Sequence, residues 1–373
     1  MLHSSALILY RMIVKVKKLN LMAPINSLGY GVVGLNVLKA LHRDVHVSLF
    51  PLGNLQASSP EENLFLQQCV NNQASFDYDS PCLKVWHEFA MAERIGKGQL
   101  FGFPFFEITK FDPKRINSLL STDHVIVASS WAQEIVESQL DRDIPVSVCP
   151  LGVDGAIFNG KDIDRKAPRE KCVFLNCGKW ETRKGHDILL QAFQAAFHEQ
   201  ESVELWMMAH NPFLNPKETD EWERYYRSDS RVSLVPRQPT HQAVAEVMRS
   251  STCGVFPSRA EGWNLELLEM IAMNKPVIAT NYSAHTEFCD DSNCLLVDVQ
   301  DMEIADDGKW FKGDVGEWAS LEGNTFDQLV EHMISVYQQW CQDPLIPNGG
   351  SAQTRELFSW KRCADRLKEI VYA

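Results

Sequence analysis

One stretch constrains this chain more than any other: residues 255–287, which read VFPSRAEGWNLELLEMIAMNKPVIATNYSAHTE. A short apolar run ends in Pro257-Ser258, and the turn Arg259-Ala260-Glu261-Gly262 follows. Leu265, Leu268, Ile271 and Ala272 then recur at the three- and four-residue spacing of an amphipathic helix. Asn274 and Lys275 stop that helix, Pro276 bars its continuation, and Val277-Ile278-Ala279 resumes as a strand. Strand, loop, helix, strand is the repeating unit of an open α/β sheet, whose ligands bind in the loops beyond the strands' carboxyl ends. Glu261 falls in such a loop. The helix start, from Gly262 to Leu265, offers unpaired N–H groups and a partial positive charge, which suit a phosphate. Glu269, within the first two turns, can reach the same end. Two carboxylates beside an anion-binding helix end point to a ligand with both sugar hydroxyls and a phosphate. The alternative is an acid that favours the helix dipole, plus a solvated glutamate.

The rest of the chain supplies the sheets around this unit. Lys18 to Ile25 reads as a first strand, followed by the loop Asn26 to Gly34 (NSLGYGVVG) and a helix to about Leu41. Gly29 and Gly31 fall in that loop, where a strand, a glycine turn and a helix let backbone N–H groups approach a phosphate, although a tight turn alone also needs glycine. Val45 to Phe50 is a second strand. Leu83 to Trp86 is another, ending at His87-Glu88, which puts His87 on the cleft side of the sheet, with a histidine simply hydrogen-bonded in its loop as the alternative. Phe101 to Ile108 reads as core or cleft wall. Asp123 to Ser130 and Val146 to Pro150 complete the half, and the polar run Asn159 to Lys171 is the expected linker. Beyond it, Cys172 to Asn176 is a strand, and the turn CGKWETRKG carries Lys179, Arg183 and Lys184 ahead of a helix beginning near His186. Three cations before a helix N-terminus form a candidate diphosphate clamp, with a solvated basic turn as the alternative. Val203–Ala209, Val232–Val235, Cys253–Phe256 and Cys294–Val297 are further strands. Phe326–Trp340 and Trp360–Tyr372 are helices. Residues 301–323, with Trp310, Phe311 and Trp318, read as an ordered surface insertion.

Composition narrows the class of partner. The 373 residues suit two domains, and 45% hydrophobic with 23% charged residues is a globular balance. A net charge of −13 argues against general binding to a nucleic-acid backbone, though not against a local pocket for one nucleotide. The ten cysteines show no CxxC pair and no His-rich neighbourhood, so they are expected to be small buried thiols of a cytoplasmic protein rather than zinc ligands. No apolar run is long enough to span a membrane, so contact with one is expected to be peripheral at most. Residues 6–14, ALILYRMIV, are apolar but interrupted by Arg11, and are expected to be a leader extension or an added strand.

The E-x7-E spacing of Glu261 and Glu269, inside PSRAEGWNLELLEMIAMNKPVIAT and followed by Glu287, resembles the donor-site segment of the retaining GT-B glycosyltransferases of group 1, the family 4-like enzymes. The resemblance implies two Rossmann-like domains facing across a cleft, residues 1–158 on the acceptor side and 159–373 binding the nucleotide sugar. The last helix, about 360–372, would pack back on the first domain. It implies that Glu261 contacts donor-sugar hydroxyls, Glu269 the ribose, and the backbone at Trp263 and Asn264 the sugar and phosphate, with Gly262 and Leu265 beside them. The family has a second glycine where Asn264 stands and a proline where Glu266 stands, which bears on the donor sugar's identity. In its G-R-x4-K-G pattern, Lys184-Gly185 match and Lys179 replaces the arginine, keeping charge but losing the bidentate fork. A segment PLGVD followed by Phe158 matches the family's passage into the second domain. By resemblance His87 lies beside the reacting sugar, and Gly29 and Gly31 face the cleft.

The expected activity is transfer of a hexose from a nucleotide diphosphate sugar, of UDP or GDP type, to a hydroxyl acceptor. The acceptor would be a glycan, a lipid-linked glycan or a small molecule. Configuration would be retained, with neither metal nor other cofactor. Lys179, Lys184, Glu261 and His87 would be the catalytic group. The alternatives are a nucleotide-sugar epimerase of the same fold and a non-catalytic nucleotide-sugar-binding partner of another transferase.

Overall fold

Two parallel sheets, each wound by helices, account for most of the chain in the computed structural model, which describes residues 16–160, 170–198 and 201–373. The first contains β1 (Lys17–Ala23), β2 (Val45–Pro51), β3 (Cys82–His87), β4 (Leu100–Phe105), β5 (His124–Val127) and β6 (Val146–Val148), in the order β2-β1-β3-β4-β5-β6. Its helices are α1 (Gly29–Leu41), α2 (Pro60–Asn71), α3 (Pro113–Leu119) and α4 (Ser130–Glu137). The second contains β7 (Cys172–Gly178), β8 (Val203–Ala209), β9 (Val232–Leu234), β10 (Cys253–Phe256), β11 (Val277–Thr280) and β12 (Leu295–Val297), in the order β12-β11-β10-β7-β8-β9. Its helices are α5 (His186–Ala196), α6 (Pro216–Tyr226), α7 (His241–Arg249) and α8 (Leu265–Ala272). The strands are parallel because their near-continuous apolar runs are covered on both faces, as in β10 and β11, where every residue is buried.

Each sheet has one point where the strand order reverses. In the first it lies between β1 and β3, and in the second between β7 and β10. A crevice opens there at the strands' carboxyl ends, because the connecting helices leave in opposite directions. The first crevice is therefore bordered by the loops after Ala23 and His87. The second is bordered by the turn after Gly178 and the loop after Phe256.

After β12 come a hairpin, β13 (Met302–Asp306) and β14 (Lys312–Ala319), and three helices, α9 (Asn324–Gln342), α10 (Ser351–Leu357) and α11 (Trp360–Val371). The hairpin lies mostly at the surface, as expected of an insertion, but one end of it is anchored in the core. Trp318 is wholly buried, and its indole Nε1 donates to the Glu107 carbonyl of the first half at 2.8 Å. The Glu317 amide donates to Thr109 Oγ1 at 2.9 Å. A large aromatic with one polar atom buries well only where that atom finds a partner, and here the partner lies across the molecule. Helix α11 returns to the first half. Arg366 Nε donates to the Val148 carbonyl at 3.2 Å, Tyr372 Oη donates to the Lys18 carbonyl at 2.8 Å, and Lys368 pairs with Asp44. Glu287 ties the cleft's rim, its Oε2 accepting from the Ser130 amide and hydroxyl at 2.8 and 2.9 Å. The expected leader at 6–14 and residues 161–169 of the expected linker lie outside the described residues. No helix among the described residues is long and apolar enough to cross a membrane.

Candidate functional site

The second crevice is built from two short segments. After β7 the chain makes the basic turn, with Thr182–Lys184 as a 3-10 helix, and enters α5. After β10 it makes the loop 257–264 and enters α8. The two meet at Glu261, whose Oε1 accepts from Lys184 Nζ at 2.8 Å and Ser258 Oγ at 2.9 Å, while Oε2 accepts from Arg183 Nη1 at 2.8 Å. Arg183 Nη1 also donates to the Ala260 carbonyl, and its Nη2 to Glu181 Oε2 at 2.7 Å. Lys179 Nζ closes the chain on Glu181 Oε1 at 2.6 Å. Three cations and two carboxylates thus form one network with an excess of one positive charge.

Burial alone would push the Glu261 carboxyl up. Arg183 and then Lys184 overcome it and hold the group well below the usual carboxylate range. Glu181 behaves alike, its burial outweighed by Arg183 and Lys179. Lys184 is buried yet held more basic than usual, because Glu261 outweighs its desolvation. Lys179 keeps 39% of its side chain exposed, so it is the cation of the turn that reaches furthest into solvent. Arg183, expected beside the phosphates, is buried and turned onto Glu181, Glu261 and Ala260.

The start of α8 is held by its own residues. Asn264 has φ 84° and ψ 79°, a left-handed conformation that asparagine tolerates better than most side chains. Its Oδ1 accepts from the Leu267 amide at 3.2 Å, and its Nδ2 lies 3.0 Å from His285 Nε2. His285 Nδ1 is 3.0 Å from the Thr280 carbonyl, which can only accept. The ring is therefore protonated on Nδ1, and Nε2 accepts from Asn264. Burial keeps this imidazole neutral, with its pKa lowered to about 4. Ser283 Oγ accepts from the Glu261 amide at 2.9 Å. Trp263 turns its ring into the core, 4.8 Å from Phe288, so only its backbone borders the crevice. Leu265, half-buried, opens the helix. Glu269 is buried, and its carboxylate has no hydrogen bond among the described residues. Burial first, then Glu266 and Asp154, push that carboxyl well up.

Gly262 faces the first half. A Cβ there would stand 3.1 Å from Phe105 Cβ and 3.3 Å from the Phe106 nitrogen, so any side chain would press the halves apart. Across this contact lies the first crevice. His87 ends β3 and stacks on Phe89, with centroids 4.9 Å apart and planes 12° apart. Burial lowers its pKa to about 4, and the charges of Lys179, from the second half, and Arg115 add to the effect. Glu88 beside it accepts from Arg115 Nε at 2.7 Å, and burial raises its carboxyl to about 7 despite that partner. Gly29 and Gly31 are corrected from loop to helix. They form the first turn of α1, which starts at Gly29 because Leu28 already provides the extended residue before it. That helix start has no side-chain cap, and neither does α5 at Gly185.

Several residues of the site escaped the sequence reading. Glu181 sat inside a turn notable for its cations, and Glu107 at the end of an aromatic run. Burial raises the Glu107 carboxyl, with Glu261 and Glu181 opposing its ionisation and Arg183 favouring it. Ser258, Ser283 and His285 carry no pattern of their own. Tyr30 stood in plain view between the two glycines.

The comparisons with known proteins agree with this layout. The structure superposes on sucrose-phosphate synthase from Thermosynechococcus elongatus with a TM-score of 0.68 at 15% identity, covering 95% of this chain and 98% of that one. HepE of Anabaena, solved with UDP and glucose, gives 0.67 at 13% identity, covering 96% and 100%. A glycosyltransferase of Rickettsia africae gives 0.63 at 13%, covering 96% and 98%. This chain has the GT-B fold. Residues 171–307, the part of the GT-B chain that carries the charged network, match the family model described as glycosyl transferases group 1. Among curated proteins none matches by sequence. Among the described residues, no three His, Cys, Asp or Glu side chains come together as a metal site.

Proposed function

We propose that this GT-B protein transfers a hexose from a nucleotide diphosphate sugar to a hydroxyl acceptor with retention of configuration. The observation that carries the reading is the meeting of Lys184 and Glu261 at the second sheet's switch point, 2.8 Å apart, beside the start of α8. A departing diphosphate needs fixed positive charge, and Lys184, Lys179 and the first amides of α8 supply it in a site that need not reorganise. Such an arrangement does the work otherwise given to a divalent cation, so the reaction is taken to need none. Glu261, already accepting three donors, is the acceptor for donor-sugar hydroxyls, and Glu269 the partner of the ribose. His87 closes the site from the first half. The first half, residues 1–158, receives the acceptor, a glycan, lipid-linked glycan or small molecule. The GT-B relative solved with UDP and glucose makes uridine donors the first to try, with guanosine donors next.

The test begins with thermal shift against nucleoside diphosphates, since a ligand bound only by the folded state raises its melting temperature. UDP or GDP should raise it. UDP-glucose or another sugar nucleotide should be slowly hydrolysed, and Glu261→Ala and Lys184→Ala should each sharply lower that release. If no nucleoside diphosphate shifts the melting temperature, the proposal is wrong. Binding without hydrolysis or transfer would instead favour a non-catalytic partner.

A further inference from the structure

We propose that Tyr30 is a positioning residue that fixes the His87 imidazole in its Nδ1–H form, leaving Nε2 as a hydrogen-bond acceptor for a sugar hydroxyl in the cleft. The argument is one of proton counting. The Tyr30 hydroxyl has a single proton and two neighbours: the Phe105 carbonyl at 2.8 Å and His87 Nδ1 at 3.2 Å. The carbonyl can only accept and is the nearer of the two by 0.4 Å, so the Tyr30 proton is assigned to Phe105. The Tyr30 oxygen must then accept, and the proton it accepts is on His87 Nδ1. Nε2 is left with a lone pair and no hydrogen bond among the described residues.

The surroundings hold both rings in place and in these forms. Tyr30 lies 4.6 Å from the His87 ring, 5.6 Å from Trp86 and edge-on to Phe105 at 5.4 Å, while Phe89 covers His87 from another side. Burial, with Glu107 and Glu88 nearby, keeps the Tyr30 phenol protonated, and the depressed basicity of His87 keeps its ring neutral near pH 7. The glycine pattern acquires a purpose here. A Cβ on Gly31 would stand 2.3 Å from Asn26 Oδ1 and 2.4 Å from its backbone, so only glycine lets the chain turn this tightly beside Tyr30. Tyr30 and His87 thus border the first sheet's switch point from its two sides. A neutral imidazole whose free nitrogen accepts cannot donate to phosphate oxygens. It selects a ligand O–H, which is what a sugar presents.

The part of this proposal that concerns sugar rests on the function proposed above; the tautomer does not. Two-bond proton–nitrogen correlation spectra of full-length protein labelled with 15N-histidine, at pH 7, read the tautomer directly. The His87 signals are assigned by their loss in His87→Gln. The wild type should show the neutral Nδ1–H pattern, and Tyr30→Phe should shift it toward Nε2–H. An Nε2–H or charged ring in the wild type overturns the proposal even if the variant fails to fold, and so does an unchanged tautomer in folded Tyr30→Phe. With UDP-glucose hydrolysis as readout, Tyr30→Phe should lower kcat about tenfold, the worth of one such hydrogen bond, and leave KM within about twofold. In a His87→Gln background, where Gln offers its own acceptor oxygen, Tyr30→Phe should cost nothing further. Equal losses in both backgrounds overturn the positioning role. Absence of hydrolysis by the wild type counts against the proposed function and leaves the tautomer to the spectra.

Discussion

The two switch points have the same topology and opposite chemistry. The second is wired with charge: Lys179, Glu181, Arg183, Lys184 and Glu261 form one chain of ion pairs between 2.6 and 2.8 Å. The first is neutral and aromatic, with Tyr30, Trp86, His87, Phe89 and Phe105 around a single imidazole. Its carboxylate and cation, Glu88 and Arg115, are turned on each other. On the function proposed above, that difference would let one fold divide a bipolar ligand. An anionic part would be drawn to the side where cations are already fixed, and a hydroxylated part would meet flat rings and the imidazole. Gly262 pressed against Phe105 brings the two sides together.

Of the ways to break that division, the largest expected effect comes from Glu261. Glu261→Ala leaves two buried cations, Arg183 and Lys184, without their shared partner. A broken buried pair costs about 3–5 kcal/mol, which urea unfolding would register. Acid acts on the same group. The native carboxyl is held below its unfolded value of about 4.3, so its contribution is complete above that pH and fades as the pH falls further. Glu181 adds to the loss in the same direction. The stability gap between wild type and variant should therefore narrow below about pH 4 and be constant from pH 5 to 7. A gap unchanged at pH 3 would mean that Glu261 holds the fold by its shape and not its charge.

Next comes Lys184. Its removal leaves Glu261 with Arg183 and Ser258, so stability should fall by only about 1–3 kcal/mol. Turnover should fall about 10²–10³-fold, the scale of losing one fixed charge at a developing anion. The two halves part here. Lys184→Ala should weaken nucleoside diphosphate binding in a titration, whereas His87→Gln should leave it intact and lower turnover alone. Trp318→Phe probes the tie between the halves. It strips the Glu107 carbonyl of its donor, and a loss of about 1–3 kcal/mol is expected in thermal or urea unfolding. If the variant melts as the wild type does, the hairpin is ornament and not a buttress.

What the sequence disclosed follows the same division. The second half was legible because its chemistry is local: Glu261 to Glu269 and Lys179 to Lys184 are short spacings on either side of a helix start, and β8 and β10 fell where their apolar runs placed them. The first half was less so, because its site is made by contacts across long separations. Tyr30 meets His87 57 positions away and Phe105 75 away, and no spacing announces either. Gly29 and Gly31 were visible, but their place in a helix was not, since glycine suggests a loop and the tight approach to Asn26 overrides that preference. The hairpin's Trp318 was seen as a surface aromatic because its partner, a backbone carbonyl 211 positions away, has no signature in sequence. Glu181 was hidden for the opposite reason. Among three cations an acid looks like dilution, and only the geometry makes it the link between Arg183 and Lys179.

The smallest effect should come from Lys179, and it tests how far the charged side extends. Its side chain is 39% exposed and its partner Glu181 keeps Arg183, so Lys179→Ala should change stability by no more than about 0.5 kcal/mol. On the proposed function Lys179 meets a diphosphate beside Lys184. Turnover should fall about three- to tenfold, mostly at low salt, because an exposed charge is screened where a buried one is not. Lys179→Arg keeps the charge and adds a planar fork suited to phosphate, so it should match or exceed the wild type under the same assay. Steady-state rates at two ionic strengths decide the matter. A loss as deep as that of Lys184→Ala would extend the preset anion site out to the cleft mouth. No loss at any salt would confine it to Lys184 and the first turn of α8, with Lys179 serving only to hold Glu181.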